Sequence, residues 1–286
     1  MQIKKLTATK EFIDEIYKTK FVSVDLIKSF DINPGEFIYI MDSTNNKHKA
    51  LVYYSGNKIK IADTWKKKSL QGFEPKDVNQ LVYFNQLQDK DFLITVATGA
   101  AGTGKTSIAL AQGLNDYFYE KRSIILCKPT AMVQSGQNNA FGPVPGDLNE
   151  KYAPYISSFE IILNKVLGGN SSSYLATMLQ KKDIQFVPVE FTRGCTYEDC
   201  TFVLDEVQNL TWHELKTVLS RIGQNSQIIL CGDPDQIDSN FSYEDSGLYK
   251  LINSKSFTKS NFTTQIHLTK QYRGKIPDLI YHIDKE

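Results

Sequence analysis

The stretch "FLITVATGAAGTGKTSIAL", residues 92–110, sets an apolar run, a knot of small residues, and then a lysine and two hydroxyls opening a helical pattern. The apolar run reads as a strand buried on both faces, and the spacing after the knot as a helix. Gly99-Ala100-Ala101-Gly102-Thr103-Gly104-Lys105-Thr106 fits G-x-x-x-x-G-K-[ST] at every fixed position. Small residues let backbone N–H groups converge on an anion, and the following helix adds the positive end of its dipole. A plain glycine turn between strand and helix is the alternative, and the strand before and helix after favour the phosphate. In that reading Gly99, Ala101, Gly102, Thr103 and Gly104 cradle a nucleotide. Lys105 reaches its β and γ phosphates, and the Thr106 hydroxyl holds Mg²⁺.

The flanking chain agrees. "SIILCK" (123–128), "CTFVLDE" (200–206) and "QIILCGD" (227–233) are further apolar strands. Helical patterns fall between them at 77–88, 105–120, 155–167, 172–182 and 211–223. Continuous apolar strands alternating with helices imply an α/β fold whose mainly parallel sheet is covered on both faces. The last of these helices has a capping box in Thr211 and Glu214, and Gly223 as its stop. The first residues differ. After a short helical pattern at 10–18, "EFIYIMD" (36–42), "KALVYY" (49–54) and "KIKIAD" (58–63) are separated by turn signals and read as a small β-meander. The expected organisation is a β-rich N-terminal domain over residues 1–72 and an NTPase domain over 73–286, joined through "TWKKKSLQGFEP" (64–75).

A phosphate-binding loop needs a second acid on a neighbouring strand. Asp205-Glu206 follows the run "TFVL": Asp205 would hold Mg²⁺ through water, and Glu206 would orient the attacking water. "IILCGDPDQID" ends another strand, and its Gln236 can sense the γ phosphate. Two acids at a strand end, or a surface turn, are the plainer alternatives.

The whole chain has 286 residues, 41% hydrophobic and 23% charged, with net charge +1, so charge offers no strong case for nucleic acid. The four cysteines show no CxxC spacing; Cys127 and Cys231 end apolar runs and read as buried thiols in a reducing cytosol. No apolar run is long enough to span a membrane, so a soluble cytoplasmic protein is expected. Only four of the 33 basic residues are Arg, which makes each worth weighing. Arg221 suits a helix C-terminus, Arg122 reads as a solvated charge, and the Lys runs at 66–68 and 181–182 read as solvated faces.

The ordered series "GAAGTGKT", "KP…GPVPGDLNEKYAPY", "TRGCTYEDCTFVLDEVQN", "LSRIG", "CGDPDQID" and "DSGL" resembles the PhoH family of P-loop ATPases, related to superfamily 1 helicases. The resemblance implies a RecA-like P-loop NTPase core, ATP as ligand, action on single-stranded RNA and assembly as a hexameric ring. It places Gln80, in "EPKDVNQ", as an adenine reader, and "NPGEFIYIMD…ALVYY" resembles the β-rich segment between the nuclease and ATPase parts of PIN–PhoH proteins. Arg193 and Arg273 fall in family motifs as fingers or substrate contacts. Lys128 stands where the family usually has Arg, and Pro143-Val144-Pro145 replaces a more apolar run.

One RecA-like domain leaves a nucleotide at an open edge, so a neighbouring chain is expected to supply the cation, Arg273 first and Arg193 second. The β-rich segment is too short for a PIN nuclease, so no metal-dependent RNA cleavage is expected. An ATP-binding module without hydrolysis and a small-molecule P-loop kinase are the competing functions. The Asp205–Glu206 pair opposes the first, and the scarcity of Arg opposes the second.

Overall fold

The computed structural model describes residues 3–22, 32–55, 58–62, 71–129, 148–167, 171–237, 241–276, 279 and 283. The lysines at 66–68 and Pro143-Val144-Pro145 lie outside them.

The N-terminal sheet holds β1 (Lys4–Ala8), β2 (Phe21–Val22), β3 (Phe37–Asp42), β4 (Lys49–Tyr54) and β5 (Ile59–Ile61), in the order β1-β3-β4-β5-β2. β3, β4 and β5 form the expected antiparallel meander. The sheet as a whole is mixed, because β1 pairs parallel to β3 and β2 antiparallel to β5. These flanking strands are too short or too polar to announce themselves by period. Helix α1 (Lys10–Thr19) starts where the Thr9 side chain accepts the Phe12 N–H, and it buries Ile13 and Ile16 against Ile38, Ile40 and Val52.

The second sheet is wholly parallel and six-stranded: β6 (Ile94–Gly99), β7 (Ser123–Lys128), β8 (Ile184–Pro188), β9 (Cys200–Leu204), β10 (Gln227–Gly232) and β11 (Thr263–Leu268). Their order is β11-β6-β10-β9-β7-β8. The edge strands β8 and β11 were not expected: β8 is five residues interrupted by Gln185 and ending in Pro188, and β11 alternates, with Gln265 and His267 facing out. Alternation along each strand divides the core. Val96 joins one apolar cluster and Ala97 the other. Helices α2 (Val78–Gln88), α3 (Lys105–Glu120), α4 (Leu148–Leu167) and α5 (Ser171–Gln180) cover one face. Helices α6 (Trp212–Leu219), α7 (Gly247–Ile252) and α8 (Lys255–Thr258) cover the other. α6 has the expected capping box but stops at Leu219, capped by Ser220, before reaching Gly223.

Helix α2 is buried from Gln80 to Leu87 because it lies between the two sheets. Gln86 Nε2 donates to the Gly35 carbonyl (3.0 Å), and Asp89, just past the helix, accepts from Tyr53 Oη (2.8 Å) and Lys60 Nζ (2.9 Å). Arg122 is a correction: it is only 8% exposed, donating to Gln227 Oε1 (3.0 Å) and Asn225 Oδ1 (2.9 Å). Gln227 opens β10, two strands away, and Asn225 lies just before it, so the local sequence does not reveal these amide acceptors. Among the described residues, no helix is long and apolar enough to cross a membrane.

Candidate nucleotide-binding site

A cavity of about 570 Å³ opens at the C-terminal ends of β6, β9 and β10, lined by Ala101, Gly102, Gly104, Lys105 and Thr106. Gly99 ends β6 at φ 139, and a Cβ there would collide with the Leu268 carbonyl of β11. Gly102, at φ 83, lies against the stem of Arg273, so a Cβ would sit 2.8 Å from Arg273 Cγ. Gly104 is the left-handed N-cap of α3. Thr103 is buried and its hydroxyl donates to the Ala100 carbonyl (2.9 Å). Lys105 Nζ lies back over its own loop, donating to the carbonyls of Gly99 and Ala100. A phosphate entering the loop would draw it off those carbonyls.

The second acid is not on the strand next to β6. β10 lies between β6 and β9, so the gap is about two strand spacings, roughly 10 Å. Helix α3 closes that distance: the Thr106 hydroxyl donates to Asp205 Oδ1 at 2.9 Å. The Asp205 N–H donates to the Cys127 carbonyl (2.9 Å), which fixes the end of β9. Burial pushes the Asp205 carboxyl up to about 6, and the neighbouring Glu206 adds to the rise.

Among the described residues no three His, Cys, Asp or Glu converge on a metal position. A Mg²⁺ ion takes few protein ligands and keeps several waters, so the Thr106 hydroxyl with the Asp205 carboxylate fits it. Those two residues would hold the ion, which when bound neutralises phosphate charge.

Glu206 has a left-handed backbone (φ 55, ψ 37), sparsely populated for a residue with a Cβ. Its carboxylate lies 3.8 Å from Lys128 Nζ and accepts from Gln208 Nε2 at 2.7 Å. Gln208 is fully buried. Its Nε2 also donates to the Gln236 carbonyl (2.9 Å), and its Oε1 accepts the Asp233 N–H (3.0 Å). One amide thereby ties the acid after β9 to the loop after β10. Its signal was present in "DEVQN", a Gln two residues beyond the acid, but only the fold shows what it holds. Asp233 also lines the cavity and is 3% exposed; burial raises its carboxyl.

The remaining expected residues divide. Gln236 lines the cavity with an exposed side chain. Gln80 lines it too, but its amide is occupied: Nε2 donates to the Thr103 carbonyl (2.9 Å) and Oε1 accepts the Lys76 N–H (2.8 Å). Arg273 lines the cavity of its own chain, anchored by its neighbour Tyr272, whose N–H donates to the Gly102 carbonyl (2.9 Å) and whose hydroxyl donates to Asp77 Oδ2 (2.6 Å). Lys128, noted only as a departure from the family pattern, lines it as well. Two cations of the chain itself, Arg273 and Lys128, thus border the cavity, where the sequence led only to the expectation of one from a neighbouring chain. Arg193 is exposed and lies away from the cavity lining, following a short turn after β8.

The family model for PhoH-like protein matches residues 73–283. Protein PhoH2 of Bacillus subtilis is 30% identical over 244 residues, 82% of this chain and 53% of that protein. A PhoH-like protein of the same organism is 31% identical, over 74% of this chain and 62% of its own length. Protein PhoH of Escherichia coli is 33% identical, over 56% of this chain and 43% of its own. The chain thus spans about half the length of the curated relatives it matches. A Pif1 helicase from Bacteroides, solved with ADP-AlF3 and ssDNA, matches over 73% of this chain and 45% of its own at 16% identity and a TM-score of 0.35. On the family match and the phosphate loop together, the chain belongs to the PhoH-like protein family and is a P-loop NTPase.

Proposed function

We propose that this chain is a magnesium-dependent ATPase whose turnover is stimulated by single-stranded RNA. The observation that carries hydrolysis is the hydrogen bond from Thr106 to Asp205, which joins the phosphate loop to the acid pair. Lys105 binds the β and γ phosphates, and Glu206, oriented by Gln208, accepts hydrogen bonds from the attacking water. Arg273 and Lys128 face the charge that grows on the γ phosphate. Gln236 senses that phosphate from the loop after β10. A module that binds ATP without hydrolysis would not need a buried amide holding Glu206 in place.

RNA, a helicase or translocase activity and a hexameric ring come from the family resemblance. In a ring, exposed Arg193 is the residue one subunit offers the next. Residues 1–72 and 73–286 are proposed as the two domains, in a cytoplasm whose reducing state suits four free cysteines. The test is phosphate release from ATP with and without single-stranded RNA, for the parent and Glu206→Gln. Glu206→Gln should bind ATP and lose turnover by roughly 10² or more. Hydrolysis by Glu206→Gln at the parent rate removes the role given to Glu206, and indifference to every RNA removes the RNA partner.

A further inference from the structure

Phosphates at Lys105 and Thr106 leave the other end of the nucleotide without an assigned seat. Besides the loop and the acids, the cavity lining includes apolar side chains: Ile108 next to Gly104, and Phe73, Ile161 and Ile162 from other parts of the chain. Ile161 is 69% exposed, and of the exposed large hydrophobic side chains described it alone lines the cavity. Its position is not slack. Phe159 and Leu163 of α4 are 2% and 0% exposed, and the Phe159 ring stands 6.0 Å from that of Phe186 on β8. Four-residue spacing puts Phe159 and Leu163 on one stripe of α4, while Ile161 and Lys165 lie about 200° round, on the stripe that borders the cavity.

We propose that Phe73 and Ile161 form the slot that holds the nucleobase by its faces. This rests on the phosphate-loop reading of the same cavity. A flat heterocycle covering Ile161 and the Phe73 ring removes apolar surface from water and stacks on an aromatic face. Contact by faces also suits Gln80, whose amide serves the loop backbone and not a base edge. Lys165, one turn along the Ile161 stripe, borders the same cavity and suits the ribose or α phosphate.

The test compares two ligands by calorimetry in excess Mg²⁺: ATP and inorganic tripolyphosphate, which has the phosphates but no base. Ile161→Asn should weaken ATP by roughly tenfold and leave tripolyphosphate unchanged, while Ile161→Leu should bind ATP like the parent. Equal losses for both ligands, or no loss for ATP, overturn the slot. Lys105→Ala is the separate control and should weaken both ligands. If it weakens neither, the phosphate end is misread, an outcome distinct from failure of the slot.

Discussion

The Thr106 hydroxyl donates to Asp205 Oδ1 over 2.9 Å although strand β10 separates the strands from which the two residues are carried. Helix α3 is the arm that brings them together, so the hydroxyl next to the phosphate loop meets the first acid of the pair. Asp205→Asn keeps the volume and removes the charge that a Mg²⁺ ion held there, as proposed, would need. ATP affinity measured in Mg²⁺ and in EDTA should then converge. The parent should bind roughly tenfold or more tighter in Mg²⁺. A parent-like Mg²⁺ advantage in Asp205→Asn would sink this role.

The same carboxyl sets a pH dependence. Burial raises the Asp205 carboxyl to about 6, so it loses its charge as pH falls toward that value, and Mg²⁺ held there as proposed would need it ionised. Affinity should be flat above about pH 7 and fall by up to tenfold per unit below about 6, with proton release on binding in that window. For the fold alone, a pKa raised above 3.8 gives stability that is full at low pH and lost as pH rises through about 6. Calorimetry in buffers of differing ionisation heat reads the proton release, which Asp205→Asn should abolish.

Gln80 holds the loop backbone by the Thr103 carbonyl. Gln80→Ala should therefore lower affinity for ATP, GTP and tripolyphosphate alike, by roughly three- to tenfold, the worth of one buried hydrogen bond. Loss confined to ATP would restore Gln80 as the adenine reader.

Arg273 lies over Gly102 of its own chain. Arg273→Ala should cut turnover by roughly 10² or more. Mixing it with Lys105→Ala subunits should give no more hydrolysis than the separate proteins, since neither supplies a working site to the other. Recovery of activity in the mixture would return the arginine to a neighbouring subunit.

Gln208 joins Glu206 to Gln236 and Asp233. Gln208→Leu should spare ATP affinity and lower kcat, because the acid loses its orientation while the phosphate loop is untouched. It should also destabilise the fold by about 1–3 kcal/mol through the stranded Asp233 N–H and Gln236 carbonyl. Equal kcat in a folded Gln208→Leu protein refutes the coupling.

The sequence alone determined whatever is written over a few neighbouring residues. The loop from Gly99 to Thr106, the acids at 205 and 206, the four interior strands and the capping box of α6 all rest on short spacings and one period. The tertiary structure decided what depends on which strands lie side by side. It inserted β10 between β6 and β9, made strands of the edges β8 and β11, and gave buried Arg122 its amide acceptors. It also turned Gln80 toward the loop backbone and laid Arg273 on its own Gly102. A hydrogen bond within a turn is dictated by residues that are already adjacent. Contacts such as Thr106 with Asp205 exist only once burial of the apolar strands has fixed their order, and that order is a property of the whole chain.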